Sequence, residues 1–227
     1  MASNESKGNM YEWAKPWNPL GGECMHNCSY CSTKKWKRFP VMADKYSDKP
    51  RLYSDLFKLP KKPATIFVCA QNDLFANNVS WIFIKRILKE CHKNPQHEYF
   101  FQTKNPDRYL SFLGDFPKDS ILCTTIETNR WYPDIMHNSP HPELRVSAMN
   151  KIQAFEKQVT IEPIMDFDPY EMISMIKFAG PLKVNIGADS KGNHLPEPSK
   201  EKLLSLIDEL NMFTIIDQKR NLQRLLK

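Results

Sequence analysis

The chain has 227 residues, a formal net charge of +6 and 41% hydrophobic side chains. That is enough to bury one large core or two small ones. No apolar run approaches the roughly 18 residues of a transmembrane helix, and the polar stretch Met1–Asn9 has no apolar signal region, so a cytoplasmic location is expected.

Residues 1–10 read as a flexible tail. Short β-branched, aromatic or continuously apolar runs predict strands at Trp17–Gly21, Thr65–Cys69, Tyr99–Thr103, Ile121–Ile126, Gln158–Glu162, Lys183–Gly187 and Phe213–Ile216. Helical spacing predicts helices at Val79–Lys93, Pro106–Leu113, Ser147–Lys157, Pro169–Phe178, Ser199–Leu210 and Asp217–Leu226. In the first helix Trp81, Ile84, Leu88 and Cys91 share a face, and Ser199 is a plausible N-cap for the fifth. This alternation predicts an α/β fold with parallel strands and right-handed crossovers. About six units fit, which suits a partial (β/α)6-type barrel over residues 11–217 with a C-terminal helix over 218–227. The segment Thr128–Arg145 holds Pro133, Pro140 and Pro142 and reads as a long irregular loop at the barrel mouth.

Three cysteines, Cys24, Cys28 and Cys31, follow the first strand with the spacing C-x3-C-x2-C. Three thiolates hold three irons of a [4Fe–4S] cluster and leave the fourth iron open to another ligand. Zinc is the alternative and needs a fourth ligand, such as His26 or a distant Cys or His. A disulfide framework suits a secreted chain. Cys69, Cys91 and Cys123 are far apart and form no second motif, so one cluster is the expected count.

Polar residues recur where the later strands end. They are Gln71, Asn72 and Asp73, then Gln102 to Lys104, then Thr125, Glu127 and Asn129, then Glu162, then Asn185 and Asp189. Five such ends in order are hard to explain by core packing. The first of these ends reads equally well as a helix-capping loop, with Asp73 or Asn77 as cap. Glu162 in an apolar strand must be paired or lie at the mouth. Cys69 and Cys123 read as small buried hydrophobes or as thiols that donate a hydrogen atom inside the barrel.

The charge is uneven. Ten Lys and Arg between Cys31 and Lys62 face three Asp, a net of +7, and the remainder is close to neutral. The string Lys34, Lys35, Trp36, Lys37, Arg38 would attract a polyanion and stack Trp36 on a base. It reads equally as a solvated helix face with Trp36 turned inward.

The cysteine spacing, with aromatic Tyr30 before the third cysteine, resembles the radical S-adenosylmethionine (SAM) superfamily. The order Trp17-Asn18-Pro19, the cysteines, Ile66-Phe67-Val68 with Asp73-Leu74-Phe75, Gln102-Thr103-Lys104, Glu127 with Asn129, and Ile161-Glu162-Pro163 is similar to a phage-associated radical-SAM-like family. More distantly it resembles spore photoproduct lyase, over about residues 11–190. The resemblance implies a [4Fe–4S] cluster on Cys24, Cys28 and Cys31, with SAM on the open iron. It implies reductive cleavage of SAM to a 5′-deoxyadenosyl radical that abstracts hydrogen from a substrate. Tyr30 falls at the adenine position. Gln71, Asn72 and Asp73 replace a Gly-Gly-Glu motif at the SAM amino group, Lys104 faces its carboxylate, and Thr125, Glu127 and Glu162 are further cofactor contacts. A flavodoxin or ferredoxin is the implied electron donor, a nucleic acid base or nucleotide the implied substrate, and the host cytoplasm the location if the chain is phage-encoded. A small metabolite or peptide is the rival substrate. A non-catalytic iron–sulfur or zinc module that binds nucleic acid is the alternative from another class.

Overall fold

A computed structural model describes residues 11–53, 55, 57–190 and 192–227. The tail expected over residues 1–10 lies outside the described residues. Asn18-Pro19 splits the first extended run in two. β1 (Lys15–Trp17) joins the main sheet, whereas β2 (Leu20–Gly21) pairs antiparallel with β3 (Arg51–Leu52). A single strand over Trp17–Gly21 was the expectation, and Pro19 prevents it because it lacks the N–H that a continued ladder needs. Between β2 and β3 lie the cysteine loop, α1 (Ser32–Trp36) and α2 (Pro40–Lys45).

Beyond them run β4 (Thr65–Val68), α3 (Trp81–His92), β5 (Glu98–Thr103), a 3₁₀ segment Pro106–Asp115 and β6 (Ser120–Thr125). There follow α4 (Pro133–Met136), α5 (Pro142–Asn150), β7 (Glu156–Ile161), α6 (Pro169–Ala179) and β8 (Lys183–Ile186). The chain closes with α7 (Lys200–Asn211), β9 (Ile215–Gln218) and α8 (Gln223–Leu226). Seven strands form one parallel sheet in the order β1-β4-β5-β6-β7-β8-β9. β1 and β9 are its edges, so the barrel is open, as the count of units predicts. Ser80 caps α3 by accepting from Ile82 N, and Ser199 caps α7 by accepting from Lys202 N.

Four expectations shift. The helix expected at Ser147–Lys157 begins five residues earlier as α5 and ends at Asn150, and β7 starts at Glu156. Prolines 133 and 142, which argued against regular structure, instead open α4 and α5, where proline's missing N–H costs nothing. The last strand moves to Ile215–Gln218, across the expected start of a C-terminal helix, which shrinks to α8. Trp81 is 59% exposed, and Ile87 takes its place on the buried face of α3.

Alternate strand residues sort onto two faces. Ile66, Val68, Tyr99, Phe101, Val159, Ile161, Val184 and Ile186 pack with the helices in one core. Each fully buried residue of this type contributes roughly 1.5–3 kcal/mol, so the helix side holds the sheet together. On the concave face Phe67, Phe100, Ile121 and Cys123 pack under Tyr11 and Ala14. Towards the C-terminal strand ends that face turns polar, with Gln102, Thr125 and Thr160 joined by hydrogen bonds that include the Tyr11 hydroxyl.

Candidate active site

The loop from Gly22 to Cys31 carries the three cysteines and is held from three sides. Gly22 lies at φ +90°, and a Cβ there would fall 2.5 Å from Pro50 Cα, so glycine alone lets the loop pass the start of β3. Gly22 N donates to Lys45 O (2.8 Å) and Glu23 N to Asp48 O (2.9 Å). From the β4 end, Asn72 Nδ2 donates to Gly22 O (2.9 Å) and Asn78 Nδ2 to Glu23 O (2.9 Å). From the segment around α4, Ile135 O accepts from Ser29 N (2.9 Å) and Asn138 N donates to His26 O (3.1 Å). Asn138 Nδ2 also donates to Met25 O (2.9 Å). Cys28 and Tyr30 pack there with Met136, Met165 and Leu195.

Asp73 ties this loop to β5. Its Oδ1 accepts from Thr103 Oγ1 (2.6 Å) and Phe75 N (2.9 Å). Its Oδ2 accepts from Lys104 N and pairs with His26 Nε2, each at 2.9 Å. Burial opposes its charge, but the His26 ring and these hydrogen bonds outweigh burial and hold the carboxyl below its ordinary range.

Glu127 is fully buried just past β6. Tyr30 Oη donates to its Oε1, Arg145 Nη1 donates to its Oε2 (2.7 Å), and Lys104 Nζ lies 3.8 Å from Oε1. Burial works against this carboxylate, and Arg145 and Lys104 keep it ionised below its usual range. Arg145 Nη1 also donates to Thr125 O (2.9 Å) and Nε to Pro140 O (2.7 Å), so one guanidinium joins α5, the end of β6, Pro140 and Glu127. Lys104 lies 5.2 Å from the centre of the Tyr30 ring. Burial pulls its pKa down, but Cys28, Glu127 and Cys31 raise it above the ordinary lysine value.

The opposite wall comes from β7, β8 and the turn after β9. Lys219 Nζ meets Glu162 Oε2 at 2.8 Å, and Asn221 Nδ2 donates to Oε1 (3.0 Å). Gly187 makes the room, since a Cβ there would lie 2.7 Å from the Glu162 carboxyl carbon. Lys219 Nζ also sits 4.1 Å from the centre of the Tyr11 ring. Between the two walls opens a cavity of about 2090 Å³, lined by Cys24, Cys28, Cys31, Lys104, Gln102 and Glu162 among others.

Residues 9–187 match the model of a family described as protein of unknown function DUF5131. The chain belongs to this family. No curated protein sequence matches. Among solved structures, a complex of spore photoproduct lyase with dinucleoside spore photoproduct is similar, with a TM-score of 0.67 at 12% identity over 96% of this chain and 79% of the lyase. A lyase mutant with bound AdoMet and the same dinucleoside has a TM-score of 0.65 at 12% identity, over 95% of this chain and 78% of that one. Streptococcus suis SuiB bound to S-adenosylmethionine has a TM-score of 0.51 at 11% identity, over 89% of this chain and 48% of SuiB. At these identities the likeness is one of fold, an open barrel of parallel strands.

In this DUF5131 chain the cysteine loop fits a cluster by its donor chemistry. All six cysteines are free, and the three of the loop line one cavity. Burial pushes the Cys24 thiol up, followed by Asp73, Cys28 and Cys31 nearby, and Lys104 supplies a cation beside Cys28 and Cys31. Three sulfur donors and no fourth suit a cluster with one open iron. Among the described residues no three His, Cys, Asp or Glu gather round a single ion, and His26 gives its Nε2 to Asp73.

Other expected site residues stand differently. Asp73 uses the four or so lone-pair sites of a carboxylate within the chain, leaving none for a cofactor amino group. Asn72 is bonded to Gly22 and braces the loop, Gln71 Oε1 accepts from Tyr46 Oη (2.6 Å) just past α2, and both border the cavity. Glu127 lies behind Tyr30 and off the cavity lining, whereas Thr125 and Glu162 line it. Cys69 packs in the helix-side core and also borders the cavity, its thiol pushed up by burial to about 12. Cys123 lies on the concave side under Tyr11, 3.4 Å from Thr160 Oγ1, also pushed up by burial to about 12. In the basic string Lys34 Nζ donates to Asn27 O (2.6 Å) and Lys37 pairs with Glu23 (2.5 Å), and both line the cavity with Trp36. Lys35 and Arg38 are exposed. Sequence reasoning missed Tyr11, Asn138, Ser139, Arg145 and Lys219. Only Arg145 left a signal, a charge among the apolar Val146 and Met149 that form the buried side of α5.

Proposed function

We propose that the chain is a radical SAM enzyme. The observation that carries the reading is the loop of three thiols opening, beside Lys104, into a cavity over the C-terminal ends of parallel strands. Cys24, Cys28 and Cys31 are the cluster ligands, and SAM takes the adjoining space. When bound, the cluster and SAM supply a one-electron cleavage and a carbon radical that abstracts hydrogen. Lys104, held charged, makes a charge-assisted contact to the SAM carboxylate. Tyr30 packs beside it, fixed through its hydroxyl by Glu127. Thr125 and Gln102 present hydrogen-bonding groups from the concave floor. Glu162 and Lys219 pair with each other, so the far wall offers polar contacts.

A nucleic acid base or nucleotide is the substrate class this reading favours. In support, the cavity of about 2090 Å³ exceeds the usual small-molecule pocket of about 300–1,000 Å³, and Lys34, Trp36 and Lys37 stand at its lining. One similar structure holds a dinucleoside. A base in duplex DNA would have to be flipped out to enter. The motif order is similar to that of phage-associated relatives, which supports work in the host cytoplasm if the chain is phage-encoded, with a flavodoxin or ferredoxin as electron donor. No helix of the described residues is long and apolar enough to cross a membrane.

Anaerobic reconstitution with iron and sulfide, then dithionite and SAM, tests the enzyme. 5′-Deoxyadenosine should form and should vanish in Cys28→Ala. Zinc uptake without iron would favour a non-catalytic module instead. For the substrate class, DNA binding should weaken steeply with salt; no binding removes the nucleic-acid part alone.

A further inference from the structure

The geometry points to Ser139 as a positioning residue that sets the reduction potential of the cluster through Cys28; the inference rests on the cluster proposed above. Ser139 is 5% exposed, and its Oγ lies 3.3 Å from Cys28 Sγ. With Cys28 as a thiol either group can donate. A ligating thiolate has no proton, so the serine hydroxyl becomes the donor. A hydrogen bond to a ligand sulfur draws charge from the cluster and favours its reduced, more negative form.

The chain builds this contact on purpose-held backbone. Ser139 N donates to Met136 O (3.1 Å), and Asn138 grips His26 O and Met25 O on the cysteine loop itself. The next residue, Pro140, accepts from buried Arg145. Serine and cysteine are 111 positions apart in sequence, yet the segments are bonded on both sides of the pair. The rest of the Cys28 surroundings is largely apolar, with Tyr30, Met136, Met165 and Leu195. In such low-polarity surroundings one dipole counts for more than it does in water. The thiol of Cys24 takes its hydrogen bond from the His26 backbone. Ser139 is off the cavity lining, so SAM and substrate do not touch it.

The test compares wild type, Ser139→Ala and Ser139→Thr, each reconstituted anaerobically. The reduced cluster is quantified by electron paramagnetic resonance at a series of poised potentials, without SAM. At the wild-type midpoint, Ser139→Ala should hold about tenfold less reduced relative to oxidised cluster, a shift of about 59 mV for one electron. Ser139→Thr, which keeps the hydroxyl, should stay close to wild type, with equal iron and sulfide in all three. If the alanine variant does not load, Ser139→Gly replaces it with the same expectation. A loaded variant without the hydroxyl at the wild-type potential overturns the inference alone. A wild-type chain that takes up no iron and sulfide overturns the cluster reading and the inference with it.

Discussion

Around Cys24 to Cys31 two buried carboxylates, Asp73 and Glu127, are committed inside the chain. Asp73 takes bonds from His26, Thr103, Phe75 and Lys104, and Glu127 is closed in by Tyr30 and Arg145. Across the cavity, Glu162 and Lys219 meet at 2.8 Å with each side chain still 13% exposed, and the adjoining β9 is an edge strand with Ile215 turned outward. The first wall is built before any ligand arrives, which suits a fixed cofactor. The second keeps polar groups within reach of whatever enters, which suits the variable partner of the reaction.

If that contrast is right, damage to the first wall costs more than damage to the second. The largest effect is expected at Arg145→Met, which strands the buried Glu127 carboxylate and should cost about 3–5 kcal/mol in urea unfolding of the cluster-free protein. A loss below about 1 kcal/mol would mean that Lys104 alone balances Glu127. Asp73→Asn comes next, at about 1–3 kcal/mol at neutral pH. The folded Asp73 carboxyl lies below its ordinary value, so the stability from its charge is present above the unfolded pKa near 4 and lost as pH falls through the folded one. The gap between wild type and variant should therefore narrow as unfolding is measured from pH 6 down to pH 2; a gap that widens contradicts the assignment. On the second wall Gly187→Ala pushes a Cβ to within 2.7 Å of Glu162. Because that carboxylate borders the cavity and has room to swing, a smaller cost of about 1–2 kcal/mol is expected. A larger loss than at Asp73 would erase the contrast between the walls.

The sequence showed most of what is local. The cysteine loop, the strand ends and the cap at Ser199 follow from spacing within a few residues. Proline was ambiguous at short range, since Pro133 and Pro142 open helices where breaks were expected. The braces were out of reach for a physical reason: His26 and Asp73 are 47 positions apart, Tyr11 and Thr160 149, and Cys28 and Ser139 111. Polar residues at strand ends are common to groups that hold a cofactor and groups that hold the loop around it. Residue type does not separate Asp73, whose carboxylate is filled by four bonds within the chain, from Lys104 and Glu162, although all three border the cavity. Only the count of hydrogen bonds on each side chain does.

The central claim is that the three thiols and Lys104 form one site for a cluster and SAM. Anaerobically reconstituted protein, reduced by dithionite, tests it most directly. The account predicts about four irons per chain and a cluster electron paramagnetic resonance signal that changes when SAM is added, with the change lost in Lys104→Ala while the iron content stays. A reduced cluster whose signal is indifferent to SAM would contradict it.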